Sequence, residues 1–254
     1  MWNSFNTADY AGMIAETITL RGKDGTPVRA YYSRPITNEP HPSIVLIPHM
    51  PGWDELCREI SRRYTEHGYS VICPNIFQRF DIKTPREAFK TCIEAGGLVD
   101  ADVMGDVEQS IAFLKAQPLS NGKAGVIGMC SGGRHAFLAA CTLDSVDAAV
   151  DCWGGGVFAD AADLTPARPK APIDFVDNLH VPLLGIFGND DQRPSADEVN
   201  RLEEELRSRN KDYEFYRYDG AGHGIWSLDR DNYRVEAAMD SFNRTLDFFG
   251  RTLK

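Results

Sequence analysis

Gly128, Met129, Cys130, Ser131 and Gly132 form a G-x-Cys-x-G run between a short apolar stretch, AGVI, and a stretch of helical character, RHAFLAAC. A strand that breaks sharply into a helix lifts the central side chain of the break clear of the sheet. Glycines two before and two after it let strand and helix approach without colliding Cβ atoms. Cys130 takes the exposed position, and at a helix amino end its thiolate is favoured by the dipole and by backbone N–H groups. Those groups can also hold an oxyanion. Ser131 is the rival nucleophile, but it lacks a glycine two residues before it. The chemistry implied is attack by a thiolate on an acyl carbon.

A thiol nucleophile needs a base, and the base needs an orienting group. Of the six histidines, His41, His49, His67, His135, His180 and His223, only His223 lies in a late glycine-rich loop, YDGAGHGIW, between the last predicted strand and the last predicted helix. His135, one turn into the helix after Cys130, reads as a packing or solvent residue, and His67 as a helix end before a glycine cap. The acid should follow the preceding strand, where LLGIFGNDDQRPS supplies Asp190 and Asp191. Asp191, three residues beyond Gly188, is preferred; Asp190 is the alternative, and the unused aspartate is a turn residue. An oxyanion hole built from the residue after the nucleophile and the loop after SIVLI would use the backbone N–H groups of Ser131 and Met50.

The elements that must hold these residues alternate along the chain. Apolar or alternating runs at 16–21, 28–33, 43–47, 70–73, 124–127, 148–152, 183–187 and 213–218 read as strands, the first two joined by a GKDG hairpin turn. Helix-like segments span 55–66, 101–116, 135–143, 196–208 and 235–249, each long enough to cross over a sheet. The Pro- and Ala-rich stretch 158–178 reads as a loop or short excursion near the carboxyl ends of the strands. The expectation is a single α/β domain over residues 1–254, its sheet mostly parallel with an antiparallel amino-terminal edge.

Composition removes other classes. The chain of 254 residues is 43% hydrophobic and carries a net charge of −10, with no concentrated basic stripe, so nucleic acid is not an expected partner. No apolar run approaches the ~18 residues of a membrane span, and the start has neither a basic nor a long apolar leader segment, so a cytoplasmic protein without membrane association is expected. Cys57, Cys73, Cys92, Cys130, Cys141 and Cys152 make no C-x-x-C pair and no zinc-like cluster with histidine. Neither a metal nor a disulfide framework is expected, and no resolving cysteine lies near Cys130 in sequence.

These residues resemble the dienelactone hydrolase (carboxymethylenebutenolidase) family of α/β-hydrolases. The resemblance runs from SIVLIPHMPGWDE through YSVICPNIF, MGDVEQSIAFLKAQPLSNGKAGVIGMCSGG, FGNDD and GAGHG to RTLDFF. It implies the α/β-hydrolase fold and a Cys130, Asp191, His223 triad that opens a lactone or ester through a thioester, without metal or organic cofactor. Arg86 looks similar to one of the arginines with which dienelactone hydrolases contact a substrate carboxylate. The position four residues after the histidine, often arginine there, is Ser227. His49 stands where the family carries a glutamate that interacts with the resting thiol, and a histidine there could pair with a thiolate. Trp53, Phe77, Trp153 and Trp226 could line an apolar site or belong to the core. Two readings compete with a dienelactone substrate: a general carboxylesterase, or hydrolase of another activated acyl compound, on the same triad, and a non-catalytic small-molecule binder.

Overall fold

The computed structural model describes residues 12–50, 52–80, 84–231 and 233–254, with Pro85, Arg86 and Ala88 described in backbone only. Eight strands form one sheet: β1 (Met13–Arg21), β2 (Pro27–Pro35), β3 (His41–Ile47), β4 (Ser70–Pro74), β5 (Ser120–Met129), β6 (Ala148–Cys152), β7 (Leu183–Gly188) and β8 (Tyr213–Tyr218). Their order is β1-β2-β4-β3-β5-β6-β7-β8. β1 and β2 pair antiparallel, as do β2 and β4, and all later pairings are parallel. The predicted α/β architecture with an antiparallel amino-terminal edge is what forms. β3, β4, β6 and β7 are buried along their whole length, as strands covered on both faces must be.

The covering layers are α1 (Glu55–Glu66), α2 (Pro85–Glu94), α3 (Asp100–Lys115), α4 (Ser131–Thr142), α5 (Ala196–Ser208) and α6 (Val235–Thr252). Val103, Val107 and Ile111 of α3, Phe137 of α4 and Leu202 of α5 pack in one core with Val45 and Val126. Ile60 and Tyr64 of α1 and Phe242 and Phe249 of α6 pack in a second, with Ile44, Ile127 and Ile186. Alternate residues of the central strands therefore face two separate cores.

Three of these helices, α1, α2 and α5, begin at side-chain caps. Asp54 accepts the N–H of Cys57 to start α1, and Ser195 with Glu198 forms a capping box at α5. α2 was not among the predicted crossover helices, although Thr84 and Glu87 form a complete capping box around Pro85. α4 starts at Ser131 rather than 135, because Gly132 and Gly133 are needed for close packing and their low helix propensity is overridden. Segment 158–178 is largely irregular, with a 3₁₀ helix at Pro172–Asn178. No helix of the described residues is long and apolar enough to cross a membrane.

Candidate active site

β5 ends at Met129 and α4 begins at Ser131, so the chain reverses on Cys130 alone, at φ 55° and ψ −120°. A non-glycine residue in that region is strained and persists only where its surroundings over-determine it. The surroundings are backbone. The Cys130 N–H donates to the Cys152 carbonyl at 2.9 Å, and the Gly133 N–H donates to the Cys130 carbonyl at 2.9 Å. A Cβ on Gly128 would collide with the Gly132 carbonyl, and one on Gly132 with the carbonyls of Ile47 and Pro48. Glycine at both positions is what lets strand, turn and helix lie against the end of β3.

Two further loops close on this turn. The Asp190 N–H donates to the Ala221 carbonyl at 3.0 Å and the Asn189 N–H to the Tyr218 carbonyl at 2.9 Å, which sews the loop after β7 to the loop after β8. Asp191, 5% exposed, thereby reaches His223: its Oδ2 lies 2.8 Å from Nδ1 of the ring. Asp190 faces solvent.

The Cys130 side chain interacts with His223. Burial disfavours its imidazolium, but Asp191 and Cys130 outweigh that and lift it to about 9. Burial likewise pushes the Cys130 thiol up; the interaction with His223, the Ser131 N–H and the charge of His49 bring it below its ordinary value. Sulfur, imidazole and carboxylate can thus share a thiolate–imidazolium pair with an oriented ring.

His49 follows β3 and lies beside the turn. Its Nε2 is 2.8 Å from Asp54 Oδ2, while Asp54 Oδ1 accepts the Cys57 N–H at 3.2 Å. Burial opposes a charged ring here too, but Asp54 and Cys57 lift His49 to about 10 and Asp54 is held at about 2. Among the described residues, His49, Asp54 and Cys57 are the one group whose nitrogen, oxygen and sulfur lie close enough to hold a metal, within 4.8 Å of one another. In this structure His49 and Asp54 satisfy each other.

Met50, half-buried, immediately follows His49, and the Ser131 N–H is at the Cys130 sulfur. Trp226 lies in the core: it is 0% exposed, donates from Nε1 to Ser241 Oγ at 2.9 Å and packs edge-on to Trp153. Of the two readings left open for Trp226, site lining or core, the tentative one as a substrate contact is corrected to core, because the ring turns under α6. Phe77 and Trp153 are buried as well, whereas Trp53 is half-buried with Arg58 stacked 5.0 Å from its ring centre. Arg86 lies in the first turn of α2, and its side chain is outside the described residues.

His135 is not a solvent residue. It is wholly buried, with Nδ1 at 2.7 Å from the Ser131 carbonyl and Nε2 at 3.1 Å from Asp100 Oδ1. Arg134 holds both oxygens of Asp100 and donates to the Gly156 carbonyl, so one buried ion cluster ties the turn, the start of α3 and the loop after β6 together. The partners are more than thirty residues apart in sequence, and nothing local announces them.

A mostly parallel sheet with a positive-φ residue between strand and helix, and an acid–histidine pair carried by the loops after β7 and β8, defines an α/β-hydrolase fold. The pattern of the dienelactone hydrolase family matches residues 28–253. A carboxymethylenebutenolidase-like protein of Methylorubrum extorquens is 31% identical over 95% of this chain and 82% of its own length. One from Synechocystis is 27% identical over 95% and 98%. The crystal structure of a dienelactone hydrolase-like protein of Klebsiella pneumoniae superposes with a TM-score of 0.84 at 27% identity, covering 94% of this chain and 99% of that one. The chain belongs to the dienelactone hydrolase family and is a hydrolase of the ester- and lactone-cleaving kind.

Proposed function

We propose that the protein opens a small lactone or ester through a thioester on Cys130, with dienelactones as the leading substrate class. The observation that carries this reading is the Asp191 bond to Nδ1 of His223, a ring that interacts with the Cys130 side chain at the strained turn. Nδ1 is taken by the carboxylate, which leaves Nε2 as the ring nitrogen to serve sulfur.

The Cys130 thiolate attacks the acyl carbon, forming a C–S bond and a tetrahedral oxyanion that the Ser131 and Met50 N–H groups hold. Collapse breaks the acyl C–O bond, and the His223 imidazolium protonates the departing oxygen, which in a lactone stays tethered to the acyl group. Water then enters, gives its proton to His223 and adds to the thioester. Cleavage of the C–S bond releases the carboxylic acid and restores the thiolate. His49, held cationic by Asp54, adds positive charge beside the turn and favours a resting thiolate.

Dienelactone ring opening, followed by loss of its ultraviolet absorbance, tests the reading in wild type and Cys130→Ala. Rapid turnover abolished by the substitution is expected. Ser227, where the resemblance leads one to look for an arginine, favours a second reading: an ester without a carboxylate. No dienelactone turnover, with hydrolysis of a short p-nitrophenyl ester lost in Cys130→Ala, would select it. Activity retained in Cys130→Ala would refute both.

A further inference from the structure

On the face covered by α3 and α4, a cavity of about 570 Å³ opens between these helices and segment 158–178. None of its lining residues belongs to the Cys130, His223 and Asp191 group. Its walls are mostly apolar, with Val99, Met104, Leu138, Leu143, Pro166 and Phe175 among them. The volume is that of a pocket for a small organic molecule.

The charges around it are not balanced internally. Lys23 and Lys170 both border the cavity, and among the described residues neither makes an ion pair; Lys170 Nζ lies over the Phe175 ring, 5.4 Å from its centre. Of the two bordering acids, Asp100 has both oxygens engaged by Arg134, which leaves Glu108 against two ammonium groups. The Lys23 stem runs across Gly105 in the middle of α3, where a Cβ would press on it. Glycine costs a helix interior about 1 kcal/mol relative to alanine, and here it makes room for the lysine.

We propose that this cavity is a second binding site, separate from the reacting centre, for a monoanionic amphiphile: a medium-chain or aryl-substituted carboxylate whose apolar part lies between α3 and α4 and whose carboxylate meets Lys23 and Lys170. Apolar walls supply the affinity, and the excess positive charge selects the anion over an alcohol or a quaternary ammonium of the same tail. One lining residue, Asp100, anchors Arg134 and His135 of α4, the helix that starts at the turn.

Calorimetric titration of the full chain with decanoate tests this without any turnover, so it stands or falls apart from the proposed reaction. One decanoate per chain is expected, bound at least ~10-fold more weakly by the double variant Lys23→Glu, Lys170→Glu, in which two exposed charges are reversed. Decyltrimethylammonium should not compete. Absence of binding would overturn the proposal, as would equal binding by the double variant, which would seat decanoate elsewhere. Binding of decan-1-ol as tight as decanoate would remove the anion from it. A dimer of the free protein that the charge reversals dissolve would instead assign this face to a second copy of the chain.

Discussion

Asp191 Oδ2 lies 2.8 Å from Nδ1 of His223, and Asp191 Oδ1 accepts the N–H of Arg193, also at 2.8 Å. Two donors from different segments fix the plane of the carboxylate. The backbone bonds joining the two loops bring it to the ring before any side chain is considered. Orientation of the imidazole is therefore built into the ends of β7 and β8 and does not depend on substrate.

Asp191→Asn should leave the fold intact and lower kcat by roughly 10²- to 10⁴-fold, because the amide favours the wrong tautomer of His223. Without the carboxylate, His223 falls from about 9 and supports the Cys130 thiolate less. The pH profile of Cys130 alkylation by iodoacetamide should shift upward in the variant. An unchanged profile would separate Asp191 from the thiol.

His49→Gln should raise the alkylation profile of Cys130 as well, since a cation beside it is lost. The linkage to stability has a definite sign. His49 is raised from 6.5 to about 10, so its contribution is complete below 6.5 and disappears as pH rises through about 10. Asp54 is lowered from 3.8 to about 2, so its share is present above 3.8 and is lost as pH falls through about 2. Urea unfolding should show wild type exceeding His49→Gln by about 1–2 kcal/mol near pH 5, an amount reduced for the partial exposure of the pair, and the gap should close towards pH 10. A gap constant from pH 5 to 10 would contradict the ion pair.

Gly128→Ala should cost about 3 kcal/mol or more, because its Cβ would meet the Gly132 backbone and no flexible side chain can yield. Gly250→Ala, with nothing near its Cβ, is the control and should be neutral or stabilising. Thermal unfolding of the two variants measures both. Similar midpoints would mean that the turn relaxes and is not held as tightly as the packing around it implies.

What was legible in the sequence was local. The strands are short apolar or alternating runs, and the turn at Cys130 is announced by glycines within two residues on either side. Order along the chain then pointed to His223 and narrowed the acid to adjacent aspartates. Of these, Asp191 turns inward to His223 and Asp190 faces outward. Long-range partners were not legible. Nothing near Arg134 or His135 indicates that Asp100 will meet both, and Trp226 carries no local mark of the Ser241 hydroxyl that draws it into the core. α2 had a readable signal in Thr84-Pro85-x-Glu87, but its amphipathic run is short and lies between loops.

Asp151, fully buried at the end of β6, gives the last prediction. Burial raises its carboxyl from 3.8 to about 7, offset only in part by the Gly154 N–H on Oδ1, and Oδ2 has no partner among the described residues. The folded protein therefore holds a proton there that the unfolded chain gives up. Stability from the neutral carboxyl is complete below 3.8 and is lost as pH rises through about 7. Asp151→Asn keeps the acceptor for Gly154 and removes the titration, so its urea midpoint should gain on wild type between pH 5 and 8. A wild-type advantage that widened over this range would mean that Asp151 is ionised and satisfied in the fold.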